Sequence, residues 1–254
     1  MTPASPPQPA PWKVTLVLCI GLISVSTAAI FIRLAFQASG QTGVGFSLVL
    51  SASRLSIAAL VFLPAWRNVG KSINQGNRGD RPWLFSAAAG VFLAIHFACW
   101  ITSLSYTSIA ASTALVATNP AWTALFSWLW WGERPTRTMS FGIAIALMGS
   151  LLVSFAGGTS TTAASQPLLG NGLALAGSWA ATLYLLLGRE AQRRGLEISS
   201  HVVLTYTTAA ALLLPLPLLF GSGYGGYSAT VYLCMLLIGI FPQTIGHTSY
   251  NRAV

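Results

Sequence analysis

Long apolar runs follow one another along most of the chain. After a Pro-rich start, eight mostly apolar segments alternate with polar connections, and a helix needs about 20 such residues to cross a bilayer. The pattern predicts an all-α, polytopic membrane helix bundle behind a disordered tail over residues 1–12. Small residues at 26–29 leave one alternative for the first segment, a cleaved signal peptide. The predicted spans are Val14–Ala35, Val44–Ala65, Trp83–Leu104, Ser108–Trp131, Met139–Ala156, Gly170–Leu187, Ser200–Phe220 and Ala229–Tyr250.

The charged residues are concentrated in three of the seven connections between the predicted spans. Connections 66–82, 132–138 and 188–199 contain nine Lys and Arg residues, and the other four connections contain no Lys, Arg, Asp or Glu. Short loops rich in Lys and Arg stay in the cytoplasm. The pattern therefore predicts that these three connections and both ends of the chain are cytoplasmic, in a bacterial inner membrane.

Composition supports a membrane protein. Of 254 residues, 54% are apolar and 7% are charged, whereas soluble domains have about 25% charged residues. The mean hydropathy is +0.67. These values argue against a soluble enzyme and against a nucleic-acid partner, and the net charge of +9 reflects topology instead. The three cysteines lie inside apolar runs without metal-ligand spacing, so we expect no metal or cofactor.

Two segments look like inverted copies of each other. Trp83–Leu104 and Thr230–Val254 share a Gly-aliphatic-Phe step at Gly90 and Gly239, and each continues with polar and aromatic residues. The first segment starts inside and the second outside. Pairing spans 1, 2 and 3 with spans 6, 7 and 8 implies a five-helix unit that is complete once and represented by three helices the second time.

Residues 103–155 resemble the EamA repeat of the drug/metabolite transporter superfamily. The shared features are a Tyr-Thr-Ser turn, an Ala-rich helix with a central proline, an apolar end closing in Gly-Glu-Arg, and a Gly-rich following helix. The resemblance implies a first repeat over 13–156, an external linker over 157–169 and a partial second repeat over 170–254. Because family members have ten helices in two inverted units, we expect a chain truncated after the eighth helix.

Arg54 is the most informative charge. It lies near the centre of the second span, and no Asp or Glu occurs in any span. Ionisable groups within the membrane are costly and are usually functional. We expect Arg54 to bind a substrate carboxylate or phosphate; the alternative is a structural arginine held by backbone carbonyls and hydroxyls. The lack of intramembrane acids argues against lipophilic cations as substrates.

Two stripes of polar and aromatic residues predict a central substrate site. His96 and Trp100 share one face of the third span, and Gln243, His247 and Tyr250 share one face of the eighth. In related helices of inverted repeats, such stripes would meet at a midplane site. The alternative is hydrogen bonding between helices without a ligand.

Asn119 and Trp179 complete the expected site. Pro120 should free the Val116 carbonyl, and that carbonyl and the Asn119 amide would bind a polar ligand or merely accompany a kink. Trp179 would stack on the ligand or fill a gap between helices. Small residues at Gly142, Ala146 and Gly149 suit close helix packing, within the monomer or in a homodimer.

The function expected from this sequence is secondary transport. The resemblance implies a carrier, most simply an exporter, that moves a small polar metabolite by alternating access. The acid-free interior favours an amino acid or a related carboxylate. Two alternatives stay open: a truncated, non-transporting membrane protein or assembly partner, and an intramembrane enzyme, for which no nucleophile–base motif is present.

Overall fold

The computed structural model describes residues 11–75, 81–156 and 166–253, and within these ranges the ordered elements are helices. The predicted tail 1–12 and linker 157–169 lie mostly outside the described residues. The helices are α1 Pro11–Ser26, α2 Ala28–Ser39, α3 Val44–Val61, α4 Trp66–Gln75, α5 Pro82–Tyr106, α6 Ile109–Val116, α7 Asn119–Trp131, α8 Arg137–Ala156, α9 Pro167–Arg193, α10 Ile198–Leu213, α11 Leu216–Leu219, α12 Ala229–Ile238, a π-helix Gly239–His247 and α13 Thr248–Ala253.

Six stretches of the described chain are long and apolar enough to cross a membrane, which confirms a polytopic helical membrane bundle. They are Trp12–Ser39, Val44–Val61, Pro82–Tyr106, Pro167–Arg193, Ile198–Leu219 and Ala229–Arg252. The predicted fourth span is instead two short helices, α6 and α7. The predicted fifth span corresponds to α8, which is apolar over Arg137–Val153.

The break between α6 and α7 has a local cause. Pro120 has no N–H for the Val116 carbonyl, which instead accepts a hydrogen bond of 3.2 Å from the Ser178 hydroxyl of α9. Ser108 starts α6, because its hydroxyl accepts the backbone N–H of Ala111. A side chain from a neighbouring helix thus satisfies the carbonyl that the proline leaves free.

Helix α4 was not expected, because its sequence lies in a charged connection. Its backbone is helical over Trp66–Gln75. Val69 is buried against the bundle, while Trp66 and Arg67 are exposed. This is the pattern of an amphipathic helix that lies along a membrane surface.

Close approaches between backbones hold the central helices together. Helix α9 packs along the length of α5. A Cβ atom on Gly177 would lie 3.4 Å from the Trp100 Cβ, and one on Gly90 would lie 2.7 Å from the Thr205 carbonyl of α10. Glycine at these positions lets α5 contact α9 and α10 directly, so the α5 side chains are positioned by two neighbours.

The bundle has two chemically different ends. At one end, Arg189 pairs with Glu133, and Arg194 lies over Phe85; we call this the basic end. At the other, the Gly43 N–H donates to the Ser105 hydroxyl, and Gly45 contacts Ser222; we call this the Gly-rich end.

Candidate functional site: a buried arginine with aromatic and histidine neighbours

Helix α3 carries Arg54 into the centre of the bundle. Its side chain is fully buried, and the guanidinium carbon lies 3.7 Å from the centroid of the Phe97 ring. None of its three nitrogens has a hydrogen-bond partner among the described residues. A cation–π contact offsets only part of the cost of burying a charge. The guanidinium is therefore equipped to bind an anion.

His96 and His247 approach Arg54 from two different helices. Their ring centroids lie 6.2 Å apart, and the His247 centroid is 5.1 Å from that of Phe97. The His96 Nδ1 lies 2.8 Å from the Gly177 carbonyl oxygen. Because a carbonyl only accepts, Nδ1 must carry the proton, and a neutral His96 presents Nε2 as an acceptor.

Tyrosines from α9 and α10 surround these rings. The Tyr184 hydroxyl donates to the Asn251 Oδ1 over 2.5 Å, and the Tyr206 hydroxyl lies 3.2 Å from the Thr248 Oγ1. The Tyr184 ring centroid is 6.4 Å from that of His247. Side chains from α3, α5, α9, α10 and the last span therefore meet at one place, and we call this group the central cluster: Arg54, His96, Phe97, Trp100, Tyr184, Tyr206, Gln243, His247 and Asn251.

Several polar atoms of the central cluster are buried without partners. Both amide atoms of Gln243, the Trp100 Nε1 and the Asn251 Nδ2 make no hydrogen bond within the part of the chain that the structure describes. Leaving a buried donor or acceptor unpaired costs about 1–3 kcal/mol. An ordered water, an ion or a ligand can supply the missing partners of such groups.

A π-helical segment sets the positions of Gln243 and His247. It covers Gly239–His247, with Pro242 inside it. Pro242 cannot donate to the Ile238 carbonyl four residues earlier. Within the same segment the Thr244 hydroxyl donates to the Gly239 carbonyl, five residues earlier, over 2.8 Å. Widened turns of this kind often occur at functional sites.

The comparisons with known proteins agree with this fold. The EamA-like transporter family profile matches residues 12–155, more than half of the chain. The chain belongs to the EamA-like transporter family. It is 24% identical over 244 residues to a "Probable terminal-alkyne amino-acid exporter" of Streptantibioticus cattleyicolor, covering 95% of this chain and 76% of that protein.

A crystal structure supports the fold of this EamA-family protein. The match has a TM-score of 0.66 and 20% identity, and it covers 95% of this chain and 79% of the other. At this identity the likeness concerns the fold alone. Family and relative together establish an integral membrane transporter.

In this EamA-family protein, six of the eight residues predicted for the site come together. Arg54, His96, Trp100, Gln243 and His247 belong to the central cluster. Tyr250 lies at its edge, half-buried, with its ring centroid 6.1 Å from that of His247. That these side chains bind substrate stays a prediction.

Asn119 and Trp179 lie apart from the central cluster. The Asn119 amide nitrogen donates to the Ser178 carbonyl over 3.2 Å. Trp179 is 41% exposed and packs edge-on against Trp122, with centroids 5.4 Å apart. Both contacts join α7 to α9, so helix packing accounts for these two residues in the structure.

Sequence reasoning did not select Phe97, Tyr184, Tyr206, Asn251 or His201. The first four belong to the central cluster. His201 is a separate buried group: its Nδ1 lies 2.9 Å from the Ser86 hydroxyl, and its Nε2 faces Gly188. A histidine within a span was a usable signal for His201, whereas tyrosine and phenylalanine are common throughout membrane helices.

Proposed function

We propose that this EamA-family protein exports an amino acid or a similar small carboxylate by alternating access. The observation that carries the proposal is the buried Arg54 guanidinium, which has no acidic partner among the described residues and lies beside other unpaired polar groups. An arginine fork binds a carboxylate through two parallel hydrogen bonds. A substrate carboxylate would supply the missing countercharge.

The central cluster also has groups for the other half of a zwitterion. The Gln243 Oε1 is an unpaired acceptor, and the faces of Trp100 and Tyr184 suit an ammonium group. The name of the Streptantibioticus cattleyicolor relative supports an amino acid as substrate and export as the direction. A lipophilic cation fits less well, because Arg54 makes the surroundings positive.

Repeat-related contacts support the alternating-access mechanism. Gly90 of α5 lies against α10, and Gly239 of the last span lies against Ile57 of α3. These are corresponding contacts if spans 3 and 8, and spans 2 and 7, are inverted copies. Gly177 against Trp100 and Gly21 against Ser249 form a second such pair. Rocking one repeat against the other would open the buried Arg54 to each side in turn.

Substitution of Arg54 tests the proposal. In proteoliposomes with normalised protein, R54Q should lower affinity for the transported amino acid by roughly 1.5–3 kcal/mol, the value of a charged hydrogen bond. R54K should recover only part of the loss, because an ammonium cannot form the bidentate contact. R33Q is the matched control, since Arg33 lies in a neighbouring span and is only half-buried.

Normal binding and flux by a folded R54Q would overturn the proposal and make Arg54 structural. Preferred transport of lipophilic cations by the wild-type protein would contradict the substrate class. Monodisperse elution and an unchanged helical circular dichroism spectrum establish that each variant is folded before transport is compared.

A further inference from the structure

A cavity of about 400 Å³ lies at the basic end, and its lining residues are distinct from those of the central cluster. It is bounded by α7, α9 and the first turn of α8. Helix α8 packs chiefly on α6. Helix α6 begins at the Gly-rich end, directly after α5. The Arg137 end of α8 thus leaves space beside its neighbours, and that volume lies within the usual range of about 300–1,000 Å³ for ligand sites.

The cavity is apolar on one side and charged at its mouth. Met139, Leu185 and Leu186 form part of the apolar lining, and Arg134 and Arg189 line the charged part. Such a gradient matches the boundary between lipid tails and headgroups. Trp128 and Trp130, exposed at the end of α7, lie at the same level of the bundle, as aromatic residues do at membrane interfaces.

Positive charge remains at the mouth after the internal ion pair is counted. Glu133 accepts two hydrogen bonds from Arg189, of 2.6 and 2.9 Å, and neutralises it. Arg134 lines the cavity, and Arg137 directly follows the lining residue Thr136 in the chain. Both arginines are exposed and have no hydrogen-bond or ion-pair partner among the described residues. Arg193, one helical turn after the lining residue Arg189, adds a further cation at this end, 5.8 Å from the Trp131 ring centroid. The mouth is therefore complementary to an anion.

We propose that this cavity binds one anionic phospholipid. The phosphate lies between Arg134 and Arg137, and one acyl chain lies against Met139, Leu185 and Leu186. Arginine is suited to phosphate by its charge and its fork of donors, and basic pockets between membrane helices are typical sites for anionic headgroups. The bound lipid would fill the space between α8 and the rest of the bundle. This site is independent of Arg54 and of the transported substrate.

Native mass spectrometry of the full chain tests the proposal, with phosphatidylglycerol as the probe. We expect phosphatidylglycerol to bind in preference to phosphatidylcholine and to raise the melting temperature. R134Q/R137Q should weaken binding by about tenfold or more. M139W should also weaken it, because the indole would occupy the acyl-chain space without changing charge. The control R67Q/R252Q removes two exposed arginines elsewhere and should leave binding unchanged.

Equal binding of phosphatidylcholine, or equal losses in R134Q/R137Q and R67Q/R252Q, would overturn the proposal, since only bulk charge would then matter. Displacement of phosphatidylglycerol by inorganic phosphate would also overturn it, and would identify a free-phosphate site. Loss of binding in R134Q/R137Q with normal binding in M139W would reject the acyl-chain position. Because Arg134, Arg137 and Met139 are exposed, these variants keep the buried packing intact.

Discussion

Two charged side chains show how depth changes the value of a charge in this protein. Arg54 is fully buried beside Phe97 and lacks an ionic partner among the described residues, whereas Glu133 is exposed at the basic end and is held by two hydrogen bonds from Arg189. Burial makes the first charge expensive unless a ligand pairs with it. Solvent makes the second pair weak. We therefore expect Arg54 to matter chiefly for binding, and Glu133 for local stability.

The Glu133–Arg189 pair predicts a stability difference that depends on pH. The hydrogen bond from Arg189 lowers the pKa of the Glu133 carboxyl below its ordinary value of 4.5. Because the pKa of Glu133 is lower in the folded state than in the unfolded state, the ion pair stabilises the folded protein when the pH is above the ordinary pKa. This stabilisation disappears as the pH falls through the lowered, folded-state pKa. E133Q should therefore melt slightly below wild type at pH 7, and the difference should vanish under acid conditions.

Melting curves in detergent between neutral and acid pH measure this effect. E197Q is the control, because Glu197 makes no side-chain capping bond at the start of α10. A penalty for E133Q that persists unchanged into acid would contradict the ionic explanation. It would indicate that the shape of the side chain, and not its charge, matters.

The residues that the sequence revealed were those whose type is rare in a membrane. Arg54, His96 and His247 were identifiable because ionisable groups in apolar spans need a reason to be there. Tyr184 and Tyr206 were not identifiable, because only the packing of α9 and α10 turns their hydroxyls toward the last span. Trp179 had the right type and depth, yet it lies on an exposed face.

At the scale of whole helices, two prolines interrupt regular α-helix in different ways. Pro120 separates α6 from α7, as its missing N–H predicts. Pro242 instead lies inside a continuous π-helix. At Pro120 the freed Val116 carbonyl is bonded by Ser178 of another helix, and the sequence does not place that partner. Helix α4 was missed because its charges resemble those of a loop.

Glycine positions at helix contacts predict a graded effect of added methyl groups. A Cβ on Gly90 would lie 2.7 Å from the Thr205 carbonyl, and one on Gly239 would lie 2.7 Å from the Ile57 Cβ. G90A and G239A should therefore each lower the free energy of unfolding by about 1–3 kcal/mol, as overpacking does. Denaturant titrations followed by circular dichroism measure the loss.

Matched substitutions on α8 provide the control. A Cβ on Gly142 or Gly149 would have nothing within 4 Å, so close packing at these two glycines within the described monomer, one of the two expected alternatives, is not found. G142A and G149A should be neutral or slightly stabilising, because alanine favours a helix over glycine by about 1 kcal/mol. Equal destabilisation at all four positions would refute the close-packing explanation for Gly90 and Gly239.

At the scale of the whole molecule, the charge pattern correctly predicted which connections lie together at one end of the bundle. It did not predict which helices contact each other. The segments around Arg67, Arg134 and Arg193 all belong to the basic end, because α4 packs on α10 and Arg193 lies over Trp131 beside Glu133. The partnership of α5 with both α9 and α10 required tertiary information. It depends on close approaches at Gly90 and Gly177, which a hydropathy pattern does not encode.

Orientation in the membrane follows from this segregation and yields the last prediction. Short loops rich in Lys and Arg stay cytoplasmic, so the basic end should face the cytoplasm and the Gly-rich end the exterior. In a background lacking Cys19, Cys99 and Cys234, G223C should react with an impermeant maleimide in intact bacteria. R193C should react only after the cells are permeabilised.

Both positions are exposed, and a Cβ on Gly223 would have nothing within 4 Å, so a difference in labelling reports membrane sidedness and not packing. An Arg134 cysteine variant, R134C, is a second basic-end position and should behave as R193C does. Labelling of R193C and R134C in intact cells, with G223C protected, would reverse the orientation. It would also contradict the assignment of the three basic connections to the cytoplasm, while leaving the helix contacts and the Arg54 site unchanged.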